Sequence, residues 1–182
     1  MKPRCRNTSD NEEPAMTREV SAEVIIDLPL DDAWEKLRDI SLAHNYVPGI
    51  VKTEIVSDQA EGVGASRYVY RNASSYIQET VQEWQEREGF LIHLHRGDKP
   101  APPFKDAWFR YALEDTGNGQ TRLTTSLRYQ MPWGRFGAWL GDRMAGFVQA
   151  TIADVARSMK LYYETGEPTT AAALKAYKTG KR

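Results

Sequence analysis

Apolar and polar residues alternate near the start of the chain. Val20, Ala22, Val24, Ile26 and Leu28 are separated by Ser21, Glu23 and Asp27, which is the two-residue period of a half-buried strand over 20–28. Pro29 ends that strand. Asp31 or Asp32 then predicts a helix cap, with Glu35 completing a capping box and Trp34 and Leu37 on the buried face. Ser41 predicts a second short turn ending at Tyr46, after which Pro48-Gly49 returns the chain into a strand over 50–56. Five further alternating segments predict strands at 66–71, 76–84, 90–96, 107–114 and 122–131, joined by links rich in Gly, Asn and Ser. Links this short exclude parallel crossovers, so the strands form an antiparallel meander.

After Pro132-Trp133-Gly134 the period changes. Leu140, Met144, Phe147, Thr151, Val155 and Met159 recur every three or four residues, predicting one long helix to about residue 165, where Gly166 and Pro168 stop it. At ~1.5 Å per residue about thirty residues make a rod of roughly 45 Å, long enough to cross a sheet of ten-residue strands. The expected fold is α+β: a curved seven-stranded antiparallel sheet wrapped around a long C-terminal helix, with a short helix pair after the first strand and a cavity between sheet and helix.

Composition narrows the functional classes. The 182 residues suit one domain, expected over 18–167, with polar tails at 1–17 and 168–182 and Met16 as an alternative start. A net charge of −1 supplies no global field for nucleic acid or anionic lipid. The single cysteine, Cys5, permits no intrachain disulfide, and the absence of a signal-like apolar run makes a cytoplasmic, reducing location the expectation. Asp142, Arg143 and Gln149 interrupt the most apolar stretch, so stable membrane insertion is not expected.

Several motifs together resemble one family. These are the 28–39 segment with Ala33-Trp34 and Leu37, then 46–50 (Tyr-Val-Pro-Gly-Ile), then 61–67 (Glu-Gly-Val-Gly-Ala-Ser-Arg). Glu79 with Val81 and Glu83-Trp84, 119–123 (Gly-Gln-Thr-Arg-Leu) and 160–164 (Lys-Leu-Tyr-Tyr-Glu) continue the pattern. Over roughly residues 19–167 the chain resembles the START-related, polyketide cyclase/dehydratase-like superfamily, also called SRPBCC, with the helix-grip fold of birch-pollen-allergen-type proteins. The resemblance implies binding of a small, largely apolar molecule (a lipid, an aromatic or a polyketide-like compound), with no cofactor, no metal and no nucleic acid, in a monomer or homodimer. It also leaves open a cyclase, aromatase or dehydratase activity, because fold alone does not fix function.

Strand alternation nominates the wall of the expected cavity: Ile92, Phe109, Tyr111 and Tyr129 from the sheet, Met144 and Phe147 from the helix. Glu79, between Ile77 and Val81, is the sharpest polar candidate. One register sets Tyr68 and Tyr70 beside it, an arrangement suited to orienting a ligand oxygen or to acid–base chemistry. A slip of one residue substitutes Arg67 and Val69, giving a buried ion pair of structural value. His93 and His95 share a face opposite Phe90, Ile92 and Leu94 and lack a third ligand at zinc-site spacing. With Trp108 and Arg110 they define a third possibility, a surface for another chain. Gly62-Val63-Gly64 precedes a strand and reads as a turn, and the proline-rich 97–103 link reads as a connector or a lid.

Overall fold

The structure is a computed structural model that describes residues 17–180, with the backbone alone at 134–136, 138 and 140. Of the expected tail at 1–17, residues 1–16, with Cys5 and Met16, lie outside the described residues, as do the side chains of Phe136 and Leu140, while Thr17 already belongs to the first strand. Strand β1 (Thr17–Ile26) leads into helix α1 (Leu30–Arg38) and a 3-10 turn (Ile40–Asn45), then β2 (Lys52–Ile55), β3 (Ser66–Asn72), β4 (Ser75–Gln85), β5 (Gly89–Arg96) and β6 (Lys99–Pro100). Next come β7 (Asp106–Asp115), β8 (Thr121–Gln130), the long helix α2 (Gly134–Thr165) and a short helix α3 (Ala171–Lys178). Seven strands form an antiparallel sheet in the order β1-β8-β7-β5-β4-β3-β2, and the two-residue β6 folds back on β5. This is the helix-grip architecture, with an eighth strand taken from the link that reads as a connector or lid.

The ends of the helix pair differ from expectation. Pro29 stands at the N-cap of α1 without a side-chain cap, while Asp31 and Asp32 sit in the first turn, where the helix's partial positive charge favours carboxylates. Asp39, not Ser41, caps the 3-10 turn by accepting from Ser41 N at 3.0 Å. Helix α1 lies over β5 and β7 and buries Ala33, Trp34 and Leu37. The Trp34 ring meets Trp84 edge-on with centroids 5.1 Å apart, and Trp84 stacks on Phe90 at 5.3 Å.

Two features of the backbone make that aromatic contact possible. A bulge between Val81 and Glu83 sends Glu83 outward to Arg110 and turns Trp84 inward beside Phe90. At the start of β5, Gly89 has φ +136°, and a Cβ there would lie 2.0 Å from Tyr111 O, so only glycine lets the two strands approach.

Glu86 accepts from both indoles, Trp34 Nε1 at 2.9 Å and Trp84 Nε1 at 3.2 Å. These bonds, Trp34's first, hold its carboxyl below the ordinary carboxylate range, with Arg38 adding to the effect. A depressed folded-state pKa contributes stability that is whole above the unfolded value and is lost as pH falls through the folded one. Glu86→Gln is therefore expected to flatten the acid limb of a Tm-against-pH curve; an unaltered limb would show that the indole bonds are not coupled to folding.

Helix α2 runs along β1, the sheet's edge. Its side chains meet the edge strand's unpaired backbone: Gln149 Nε2 donates to Ser21 O at 2.6 Å, Lys160 Nζ to Ile25 O at 2.8 Å, and Glu164 accepts from Asp27 N at 2.7 Å. Holding that flank against β1 turns Val148, Ile152, Val155, Met159 and Tyr163 into the core. The predicted stripe is thus rotated. Met144, Val155 and Met159 keep to it, whereas Thr151 is exposed and Phe147 is 73% exposed. Gly166 ends the helix in the left-handed conformation, its N–H donating to Tyr162 O.

The segment after Glu167, expected as a solvated tail, carries α3. Thr170 caps it by accepting from Ala173 N, and Leu174 is buried. Alanines at 171–173 and 176 favour helix intrinsically, and Thr169 ties the approach by bonding Asn45 O and Ser158 O, both at 2.8 Å.

Candidate functional site

The inner face of the sheet is apolar apart from Thr121 and Thr125 of β8, which bond backbone carbonyls, and a cluster near its β3–β4 side. In the observed register Arg67 pairs with Glu79 and Val69 with Ile77. Directly opposite residues share a face, so Arg67 and Glu79 point inward together. Arg67, 1% exposed, donates from Nε to Glu79 Oε2 at 2.6 Å and from Nη1 to the Ile40 carbonyl. Its Nη2 lies 2.6 Å from the same carboxylate oxygen as an ion-pair contact, without hydrogen-bond geometry. The guanidinium therefore ties two strands to the 3-10 turn.

Tyrosines surround this pair. Tyr46, from the end of the 3-10 turn, lies edge-on to Tyr163 of α2 with centroids 6.0 Å apart. Tyr111 of β7 packs against Phe90 and Phe109 at 5.1 and 4.6 Å. Burial raises the pKa of all three phenols, well above the ordinary value for Tyr111 and Tyr163, with Glu79 adding to the effect at Tyr46 and Tyr111 and Arg67 opposing it at all three. They remain neutral donors at physiological pH. Burial alone would lower the Arg67 pKa, but the Glu79 carboxylate outweighs it and holds the group cationic. Near the opposite end of the inner face, Tyr129 is fully buried against Phe104 at 5.0 Å, its phenol also raised by burial. Among the described residues the hydroxyls of Tyr46, Tyr129 and Tyr163 have no hydrogen-bond partner.

A family model described as polyketide cyclase/dehydrase and lipid transport matches residues 17–164. The chain belongs to that family. Three solved structures similar to this family member show the shared fold. The aromatase/cyclase ZhuI from Streptomyces sp. R1128 is 15% identical, with a TM-score of 0.65 over 82% of this chain and 94% of its own. A protein from Thermus thermophilus is 16% identical, with a TM-score of 0.62 over 80% and 97%. Ara h 8.0201 is 16% identical, with a TM-score of 0.60 over 81% and 98%. No curated protein sequence matches the chain.

The structure brings some nominated residues of this family member together and separates others. Ile92, Phe109, Tyr111 and Tyr129 are buried on the inner face, and Met144 packs against the same core. Glu79 points inward, but its partner is Arg67. Tyr68 and Tyr70 occupy the outer face opposite Gln78 and Tyr76, where the Tyr68 and Tyr76 rings lie 4.4 Å apart and Tyr70 bonds Glu54 at 3.2 Å. The acid–base arrangement of Glu79 with these tyrosines is thus not assembled, because the one-residue register difference reverses the face. Phe147 leaves the site through the rotation of α2.

His93 and His95 stack on the outer face at 5.3 Å, and each is engaged: His93 Nε2 with Asp106 Oδ1 at 2.6 Å, His95 Nε2 with Thr80 Oγ1 at 2.8 Å. Among the described residues no group of three or more potential metal ligands converges. Trp108 donates to Gln82 at 3.1 Å beneath the Arg128 guanidinium.

Sequence reasoning missed Tyr46 and Tyr163, whereas the Arg67–Glu79 ion pair is the second of the two registers it left open. For Tyr163 a signal was present: it follows Met159 by four residues and continues the helical stripe.

Proposed function

We propose that this family member binds a small molecule with an apolar body and at least one oxygen, held between the inner face of the sheet and α2. The observation that carries the reading is the set of three buried tyrosine hydroxyls, Tyr46 beside Arg67 together with Tyr129 and Tyr163, that lack hydrogen-bond geometry to any partner among the described residues. A buried unpaired hydroxyl is unfavourable by about 1–3 kcal/mol, and a ligand carbonyl or hydroxyl would satisfy it. The apolar body supplies the affinity: about 300 Å² of ligand surface at ~25 cal/mol per Å² contributes roughly 7 kcal/mol gross, which association costs reduce to about micromolar binding. Family membership supports this reading, and lipids, aromatics and polyketide-like compounds all meet the description.

Binding is favoured over turnover because Glu79 is committed to Arg67, and Arg67 to the Ile40 carbonyl, leaving neither free as an acid or base. Native mass spectrometry of the purified protein, followed by denaturation, is expected to release an apolar oxygen-bearing compound. Tyr46→Phe and Tyr163→Phe are expected to leave folding stability unchanged or raise it by about 1 kcal/mol, while weakening retention of that compound several-fold. Loss of stability without loss of retention would return these hydroxyls to a packing role.

A further inference from the structure

A depression lies apart from the inner face, between residues 44–50, 154 and 158 of the family match and residues 169–179 that follow it. Helix α3, the turn after the 3-10 segment and the outer flank of α2 enclose about 390 Å³. The family match ends at residue 164, so the α3 wall lies beyond it.

The depression has a divided character. Val47, Ile50 and Leu174 make part of its wall apolar. Ser158 belongs to the same wall; it is fully buried, and its Oγ has no hydrogen-bond partner among the described residues, although its carbonyl accepts from Thr169. This hydroxyl is therefore a buried polar group in the pocket's wall with an unmet hydrogen bond, which a ligand oxygen reaches only as the wall yields.

Charge is unbalanced in one direction. Asp154 is the carboxylate that lines the pocket among the described residues, and it is already engaged twice, by Lys178 Nζ at 2.9 Å and Arg157 Nη1 at 3.1 Å. Lys175, one turn before Lys178 on the same face of α3, has no ion-pair partner among the described residues. An ammonium beside an apolar wall with an unpartnered hydroxyl suits a ligand that is apolar at one end and anionic at the other.

We infer that this depression is a second binding site, for a small organic carboxylate whose apolar body rests on Val47, Ile50 and Leu174 while its oxygens meet Lys175 and Ser158. The site does not depend on what occupies the inner face. Its occupant also bridges α3 to the rest of the molecule. Eight residues make a helix too short to persist unaided, and Leu174 is its buried anchor, so binding couples to the docking of α3.

The test is a titration of the full chain with benzoate, followed by amide chemical shifts, against benzamide as the uncharged isostere. Benzoate is expected to saturate, moving the amides of Val47, Gly49, Ile50, Ser158 and 169–175 together, and benzamide to bind about tenfold more weakly. Lys175→Gln, at an exposed position, is expected to weaken benzoate about tenfold with unchanged folding, and Ser158→Ala to weaken it several-fold. Shifts confined to the inner strands β5 and β7, shifts scattered over surface lysines without saturation, or Lys175→Gln binding as tightly as the parent would each overturn the assignment. Failure here leaves the retention experiment on the tyrosine variants untouched, so the two sites stand or fall separately.

Discussion

Arg67→Met is expected to destabilise the chain by about 3–5 kcal/mol, because it removes one partner of a buried ion pair and leaves the other facing a low-dielectric interior. Glu79 is the group left behind, its side chain 13% exposed. The variant also releases the Ile40 carbonyl, which accepts from Arg67 Nη1, and so frees the 3-10 turn from the sheet. For a chain of this size that loss lowers Tm by about 10 °C or more. Arg67→Lys is expected to recover only part of it, since an ammonium lacks the planar fork that serves a carboxylate and a carbonyl at once.

The informative comparison is the double replacement Arg67→Met/Glu79→Leu. If charge burial is the source of the loss, removing both charges is expected to restore stability to within about 1 kcal/mol of the parent. Urea denaturation of the four proteins measures this directly. A double variant as unstable as Arg67→Met would show that the tie to Ile40, and not the uncompensated Glu79, carries the energy. A single variant with the parent's midpoint would remove the pair from the account of stability altogether.

How much of this was legible in the sequence depended on whether the deciding contact was local. Alternation in β1, β7 and β8 is regular enough to survive Ile25, Trp108 and Thr125, and the inward set of Phe109, Tyr111 and Tyr129 follows from it. Around Glu79 the sequence allows two registers. Tyr68 and Tyr70 look more suitable for an interior than Arg67, and only the Ile40 carbonyl, 27 residues away in sequence, makes the arginine the better buried group. At Trp84 the period-two rule fails because one extra residue in the bulge reverses the faces. The rotation of α2 is decided by bonds from Gln149, Lys160 and Glu164 to β1, separated from them by more than a hundred residues. Helix α3 is short and carries one buried leucine, so its apolar pattern is too sparse to stand out from a tail. The family motifs supplied the fold where periodicity alone gave only its class; the 46–50 motif forms one wall of the α3 pocket, but the facing wall at 169–179 follows the matched region.

Trp34→Ala is expected to be as damaging as the loss of Arg67, through packing instead of charge. Trp34 is 2% exposed and anchors α1 over the end of the sheet, against Trp84 and through it Phe90 and Tyr111. Truncating a buried tryptophan opens a cavity and forfeits its apolar contacts, about 3–5 kcal/mol together. It also removes one of the two indole donors that hold Glu86. Trp34→Phe separates these contributions: it keeps most of the ring contact and loses the bond to Glu86, so its expected loss is about 1 kcal/mol beyond the change in size. Because α1 closes the end of the inner face beside Tyr111, the alanine variant is further expected to release any co-purified ligand more readily at temperatures well below its own unfolding. Retention identical to the parent's, with stability reduced as expected, would mean that α1 supports the fold without guarding the interior.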